Sequence, residues 1–121
     1  MPRYAPITAP VFTWLEDARH SGVTSTITMA ELLVQPYRVA DEHRVSLFYG
    51  LLTTYPHLEW IAPDLEIADL AARFRAQYRL RIPDAVHAAT AAGRQATGFI
   101  TNDSIFKRVD AFETLVLEEL L

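Results

Sequence analysis

The stretch that decides the fold is residues 80–103, LRIPDAVHAATAAGRQATGFITND. Asp84 follows a proline at the start of an alanine-rich helix, which is predicted over 84–95. A short apolar strand is predicted over 98–101, and Asp103 follows it in a polar turn. In open α/β sheets, ligands bind at the carboxyl ends of the strands. We therefore expect the two carboxylates to meet at that edge, where they suit a hard divalent cation that prefers oxygen ligands.

On either side of this stretch the pattern alternates helices and strands. Helices are predicted over 8–20, 28–35, 41–55 and 64–79, and strands over 23–25, 58–62 and 114–117. Asp41 and Asp64 are the expected N-caps of two helices, and Pro36 is expected to close another. Strands separated by helices predict a short, mostly parallel sheet with helices on both faces, in a single α/β domain.

The composition limits the functions that are compatible with the chain. Its 121 residues include 11 Lys and Arg against 15 Asp and Glu, which argues against a protein that coats nucleic acid through bulk positive charge. A nuclease stays compatible, because an acidic metal site adds negative charge of its own. The chain has no cysteine, which excludes disulfides and thiol chemistry. No apolar run approaches membrane-spanning length, so we expect a cytoplasmic protein with no membrane partner.

Two motifs of this chain resemble motifs of one protein family, and their order and spacing agree with those in the family. PDAVHAAT over 83–90 with TND over 101–103, and TSTITMAELLVQP over 24–36, resemble the PIN-domain ribonucleases, which include the VapC toxins. The resemblance covers nearly the whole chain and implies a three-layer PIN-like fold for residues 1–121. Glu31 stands in the place of a family acidic residue.

The resemblance implies metal-assisted hydrolysis of a phosphodiester bond in RNA. Glu31, Asp84 and Asp103 are the implied catalytic residues and the implied ligands of Mg²⁺ or Mn²⁺. The cation lowers the pKa of a bound water and neutralises charge that develops on the phosphate. Because the family supplies the toxins of toxin–antitoxin modules, the implied partners are an RNA substrate and a cognate antitoxin.

Each of the three carboxylates also has a purely structural interpretation. Glu31 completes a capping box with Thr28, in which the glutamate accepts a bond from a backbone N–H. Asp84 is favoured near a helix N-terminus by the macrodipole, by roughly 0.3–1 kcal/mol. Asp103 follows an asparagine, and the Asn-Asp pair is common turn chemistry.

Five further residues are candidates for supporting roles. Ser25, Thr101 and Asn102 are expected to hold the carboxylates in place, although hydroxyl residues also occur at strand ends for local reasons. His87 and Arg81 are candidates for contacts with RNA phosphates. The alternatives are a partly exposed helix histidine and an arginine that interacts with the carbonyls at the end of the preceding helix.

The start of the chain departs from the family pattern. The family opens with a hydrophobic strand that ends in aspartate and lies at the centre of the sheet, whereas residues 1–8, MPRYAPIT, resemble a segment beyond that strand. Loss of that strand exposes two strand edges, and exposed edges recruit other chains. Three solutions are compatible with this departure: residues that precede Met1 in the natural protein, a rearranged N-terminal segment, which Pro2, Pro6 and Pro10 disfavour as a central strand, or closure of the gap by a second copy or a partner chain. We favour a homo-oligomer that packs through Val11, Trp14 and Leu15 of the 8–20 helix.

The absent aspartate also keeps a second function open, that of a catalytically weak or inactive PIN-like domain that binds a protein partner. A third possibility is an unrelated doubly wound domain such as a phospho-acceptor receiver. That class requires an acidic pair near the start and a lysine after a late strand. The chain has neither, because Lys107 is its only lysine and follows no clear strand.

Overall fold

Strands and helices alternate in the computed structural model. The structure describes Thr13, residues 15–17 and residues 19–120; for Leu120 it describes the backbone only. The strands are β1 (Gly22–Ser25), β2 (Leu58–Ile61), β3 (Gly98–Thr101) and β4 (Glu113–Val116). The α-helices that are described over their full length are α1 (Thr26–Arg38), α2 (Glu42–Thr53), α3 (Leu65–Tyr78) and α4 (Ile82–Gly93). Two 3₁₀ helices follow β3 and β4, at Ser104–Arg108 and Leu117–Leu120. Within these described residues, no helix is long and apolar enough to cross a membrane.

α2 and α3 begin where the sequence predicts, because an aspartate caps each of them. Asp41 Oδ1 accepts a hydrogen bond from the Arg44 N–H at 3.0 Å, and Asp64 Oδ1 accepts one from the Ile67 N–H at 2.9 Å. α3 ends at Arg79, whose φ of 57° lies in the left-handed region that commonly terminates helices. The predicted caps are therefore confirmed, and both helices end within two residues of their predicted limits.

α1 differs from its prediction at both ends. It begins at Thr26 because Ser25 is its N-cap, with the Ser25 Oγ accepting from the Ile27 N–H at 3.2 Å. Glu31 therefore lies beyond the first turn, and the capping-box interpretation of that residue is wrong. The prediction that Pro36 closes the helix is also wrong, because α1 continues to Arg38. A proline near the end of a helix forfeits one intrahelical bond, and burial of this ring favours its place in the helix.

The predicted single sheet is divided in the described residues into two parallel pairs. β1 pairs with β2, with Gly22 opposite Leu58, and β3 pairs with β4, with Gly98 opposite Glu113. The strands lie within one residue of their predicted limits, but none of the described strands lies between β1 and β3. A strand in that position, such as the central strand that the family resemblance implies, is what would join the pairs into one sheet.

α4 lies at the centre of the hydrophobic core. Ala85, Ala88 and Ala89 are 0 % exposed and belong to one buried cluster with Phe74 of α3 and Val109. Because alanine has no side chain beyond Cβ, neighbouring elements approach the helix axis closely and leave few voids. The alanine-rich helix is therefore a packing element, and its burial holds the start of α4 against the rest of the fold.

The predicted 8–20 helix is described only in part. Val11 and Trp14, two of the residues expected between subunits, lie outside the described residues. Leu15 is helical and buried, with its Cδ2 only 2.8 Å from the position that a Cβ on Gly22 would occupy. Leu15 therefore packs inside the chain, and the expectation that it faces another subunit is wrong. A Cβ on Gly22 would therefore displace the end of the Leu15 side chain, and glycine lets the two residues pack closely.

Candidate active site

The three predicted carboxylates line one groove between β1 and β3. The groove has a volume of about 1370 Å³, and α4 also contributes to its lining. Glu31 reaches it from α1, Asp84 from the first turn of α4, and Asp103 from the turn after β3. Three separate parts of the chain thus place acidic side chains along the same groove.

Asp84 is the least exposed of the three carboxylates. The residue is 9 % exposed, and its Oδ2 accepts a hydrogen bond from the Arg81 Nε at 3.3 Å. Arg81 stands at the N-cap of α4, and Pro83 lies in the first turn, where its missing N–H is tolerated. Arg81 thus contacts the Asp84 carboxylate directly, and most of its side chain is exposed. Its predicted contact with RNA stays a prediction.

Glu31 is held by a long-range hydrogen bond. The His87 Nε2–H donates to the Glu31 Oε1 at 2.6 Å, across a separation of 56 residues. Because Glu31 lies on α1 and His87 lies on α4, the bond directs the glutamate toward the helix that carries Asp84. The sequence makes His87 a candidate for RNA contact, and in this structure it acts as a partner of Glu31.

Asp103 has a local structural role in addition to its place in the groove. Its Oδ1 accepts from the Ile105 N–H at 3.0 Å, which makes it the N-cap of the first 3₁₀ helix. The Asp103 N–H donates to the Thr101 Oγ1 at 3.1 Å. Thr101 therefore holds the backbone of Asp103, not its carboxylate, while Asn102 lines the groove between them. The turn interpretation of Asp103 is correct and does not exclude a site role.

Ser25 has a structural role as a helix cap, and its hydroxyl bonds the backbone of Ile27. It is 1 % exposed and caps α1, the helix that carries Glu31. Nearby, Thr24 and Thr28 also line the groove, and their Oγ1 atoms lie 2.8 Å apart in a hydrogen bond. These two threonines are not among the residues predicted for the site. The hydroxyl-rich run at the junction of β1 and α1 is the signal that points to them.

We expect Ser25→Ala to lower the free energy of unfolding by about 1 kcal/mol, the typical cost of losing a serine N-cap. Urea denaturation followed by circular dichroism measures this change. Ser46→Ala is the matched control, because Ser46 is an exposed serine within α2, and we expect it to change stability by no more than about 0.5 kcal/mol. Equal stabilities of the two variants would contradict the capping role.

At the groove, Arg19 is already paired with a carboxylate. Its Nη2 and Nε donate to Asp17 at 2.7 Å and 3.1 Å, and these bonds lower the pKa of Asp17 to about 2. Asp17 is therefore charged at neutral pH and offsets the arginine. Arg19 lines the groove with its charge partly offset by Asp17.

The donor atoms at this site are of the type that binds a divalent cation, but their positions do not form a metal site in the described residues. Three carboxylates offer the oxygen ligands that Mg²⁺ and Mn²⁺ prefer. Among the described residues, however, no three His, Cys, Asp or Glu side chains are grouped closely enough to hold a metal ion. Two of the three carboxylates are instead bonded to His87 and Arg81. Within the described part of the chain, the groove thus contains the predicted ligands, and these do not form a preformed metal cluster.

Comparison with known proteins agrees with the family suggested by the motifs. The sequence profile of the PIN domain matches residues 6–112, so the chain belongs to the PIN domain family. PIN domains are generally nucleases. No curated protein sequence matches the chain. Among solved structures, a toxin–antitoxin complex from Klebsiella pneumoniae is similar with a TM-score of 0.60 and 23% identity, over 77% of this chain and 71% of that chain. At this identity the similarity shows the fold, and the predicted α/β PIN fold is confirmed.

Proposed function

We propose that this chain is an Mg²⁺- or Mn²⁺-dependent endoribonuclease of the VapC toxin type, the toxin of a toxin–antitoxin module. The observation that carries the proposal is the placement of Glu31, Asp84 and Asp103 along one groove. Membership of the PIN domain family supports a nuclease, and the similarity to a toxin–antitoxin complex supports an antitoxin as a partner. The substrate is RNA, and the catalytic residues and metal ligands are the same three carboxylates.

The residues around the groove prepare these carboxylates for their role. The bond from His87 holds Glu31, and the bond from the Ile105 N–H holds Asp103. Arg81 uses its Nε on Asp84, and a guanidinium has further N–H donors that suit a phosphate. A bound divalent cation supplies an activated water and neutralises charge on the phosphate. Because the three carboxylates are not clustered in the described residues, we expect the chain to bind the cation weakly.

We expect slow cleavage of single-stranded RNA in Mg²⁺ or Mn²⁺ and no cleavage in EDTA. The substrate is a pool of random-sequence RNA oligonucleotides, since no target sequence is assumed, and gel electrophoresis resolves the products. Isothermal titration with Mn²⁺ alone provides a second readout, in which weak binding at a millimolar scale is expected. Cleavage that persists in EDTA would contradict the proposal, as would the absence of both cleavage and Mn²⁺ binding.

A second candidate function is a catalytically inactive PIN-like domain that binds a protein partner. Two observations favour it: the described acidic residues form no metal cluster, and α1 and α2 expose many large apolar side chains. The exposed residues on these helices and their connection are Leu32, Val34, Tyr37, Val39, Leu47, Tyr49 and Leu51. Such a surface is typical of protein contacts, and an antitoxin or a second copy of the chain is the expected occupant. This candidate predicts that neither RNA cleavage nor Mn²⁺ binding is detected.

A further inference from the structure

Four exposed arginines surround the turn between α3 and α4, and we call them the arginine patch. They are Arg75, Arg79, Arg81 and Arg108. The Arg75 Nε–H donates to the Leu80 carbonyl oxygen at 3.1 Å. The Arg108 Nη1–H donates to the Tyr78 carbonyl oxygen, also at 3.1 Å. Two guanidinium groups from different parts of the chain are therefore held against the same short turn, which contributes the other two arginines itself.

The positive charge of the arginine patch is only partly offset by acids. Among the described residues, Arg81 is the one member with an ion pair, to Asp84 at 3.3 Å. Asp110 stands nearby, since its Oδ1 accepts from the Tyr78 hydroxyl at 2.8 Å. A carbonyl oxygen orients a guanidinium but does not cancel its charge. Even if both acids each offset one arginine, two positive charges are left, in a chain whose formal charge is −4.

The patch is preorganised by its contacts. Tyr78 accepts from Arg108 through its carbonyl and donates to Asp110 through its hydroxyl, so residues 108–110 are fixed to the end of α3. A guanidinium has five N–H donors, and Arg75 and Arg108 each use one in the bonds given above. The remaining donors suit the paired oxygens of a phosphate. An arginine that is already oriented loses less conformational entropy when it binds a ligand.

A purely structural interpretation explains only part of the patch. Basic side chains near the end of a helix commonly bond its last carbonyls, and this accounts for Arg75 and Arg108. It does not account for Arg79, which is exposed in the turn and has no ion pair among the described residues. Nor does it account for Arg81, which turns toward Asp84. A ligand with several negative charges gives all four arginines one common role.

Arg81 connects the arginine patch to the groove. Its Nε–H donates to Asp84, and Asp84 lines the groove between β1 and β3. When one phosphate of an RNA strand lies at Asp84, the next phosphates along the strand lie outside the groove, and the turn over 79–81 is beside that point. Contacts to backbone phosphates position a nucleic acid strand without reading its sequence.

We propose that the arginine patch binds the phosphodiester backbone of RNA beside the groove and positions the strand that the carboxylates cleave. This inference rests on the proposed ribonuclease function. Arg75, Arg79 and Arg108 contact phosphates outside the groove, and the contacts are independent of base sequence. An acidic peptide is the other class of ligand that suits several guanidiniums. The continuity with Asp84 favours RNA, because the repeated phosphates of one strand reach the groove and the patch at once.

The test measures how RNA affinity depends on salt. A pool of fluorescein-labelled, single-stranded RNA of random sequence is titrated in EDTA, which prevents cleavage, and fluorescence anisotropy reports binding. One phosphate contact contributes about 0.7 to the slope of log affinity against log salt, or roughly eightfold between 1 M and 50 mM salt. We expect Arg79→Gln and Arg108→Gln each to reduce the slope by about 0.7 and to lower affinity by about that factor in 50 mM salt.

Two controls separate a phosphate contact from a general change of charge or fold. Arg73→Gln removes the same charge from an exposed arginine of α3 that is paired with Asp69 at 3.1 Å, and we expect less than about a twofold loss of affinity. Arg79→Lys keeps the charge and is expected to keep most of the salt slope. Because no ion pair of Arg79 is lost among the described residues, circular dichroism is expected to show the same unfolding midpoint for both of its variants.

Cleavage in Mn²⁺ provides a second readout of the same contacts. A contact made equally in the bound substrate and in the transition state changes KM and leaves kcat unchanged. We therefore expect Arg79→Gln to raise KM by about eightfold, with kcat within about twofold of the parent chain. A fall in kcat alone would contradict a role in binding the strand.

The outcomes distinguish failure of the patch from failure of the ribonuclease function. If the parent chain binds and cleaves RNA while both Gln variants bind as tightly, the patch is overturned and the ribonuclease function stands. If the parent chain neither binds nor cleaves RNA, both proposals fail. An equal loss of affinity in Arg73→Gln would also overturn the patch, because bulk charge then explains the effect. A polyglutamate peptide that binds as tightly as RNA, with the same loss in Arg79→Gln, would assign the patch to a protein ligand instead.

Discussion

Asp84→Asn is expected to lower cation-dependent RNA cleavage by about 100-fold, the usual scale for removing one preorganised charged or polar group from an active site. The substitution keeps the shape of the side chain and an oxygen that accepts from Arg81. It removes the negative charge, and a neutral amide is a poor ligand for Mg²⁺ or Mn²⁺ beside two carboxylates. Because Asp84 is only 9 % exposed, water cannot easily replace its charge. Rates of product formation by the variant and the parent chain measure the effect.

Asp69→Asn is the matched control for this change. Asp69 is an exposed acid on α3 that pairs with Arg73 at 3.1 Å. We expect its loss to change the cleavage rate by less than about twofold, since an exposed ion pair contributes little. Circular dichroism is expected to show both variants folded, with Asp84→Asn destabilised by no more than about 1 kcal/mol through the lost charge at the helix N-terminus. Undiminished cleavage by Asp84→Asn would mean that the activity is a contaminant or that the site is assigned wrongly.

Phe74→Ala is expected to lower the free energy of unfolding by about 3–5 kcal/mol. Phe74 is 7 % exposed and packs edge-on against Tyr78, with ring centroids 5.6 Å apart. It joins α3 to the buried alanines of α4, so truncation leaves a cavity that the small neighbouring residues cannot fill. A domain of this size is stabilised by about 5–15 kcal/mol in total. The loss is therefore a large fraction of that stability, and urea denaturation followed by circular dichroism measures it.

Leu65→Ala is the control on the same helix. Leu65 is 88 % exposed at the first position of α3, so its truncation is expected to change stability by no more than about 0.5 kcal/mol. If Phe74→Ala proves too unstable to purify, Phe74→Leu provides a smaller cavity and a smaller loss on the same scale. A cost below about 1 kcal/mol for Phe74→Ala would contradict the placement of this residue in the core.

The sequence predicted the local elements of the chain well. The aspartate caps of α2 and α3 form between residues three positions apart, so the residues that make the bond stand together in the sequence. β3 was predicted with its observed limits, because an apolar run between polar residues favours a strand.

The errors at α1 show where local patterns compete. The capping-box pattern of Thr28 and Glu31 predicted a helix that begins at Thr28. The structure uses Ser25, because β1 ends there and the buried hydroxyl bonds the Ile27 N–H. Pro36 stays inside the helix for a similar reason, since burial of its ring is a tertiary property. Such choices depend on packing that a local pattern does not contain.

The class of protein and the identity of the acidic residues were available from motifs, because each motif is a short run of neighbouring residues. Their arrangement in space was decided only by the tertiary structure. The bond between Glu31 and His87 spans 56 residues, and the pairing of the described strands, β1 with β2 and β3 with β4, depends on which edges meet after the helices pack. Distant contacts of this kind depend on the packing of elements far apart in the chain, so no local spacing in the sequence predicts them.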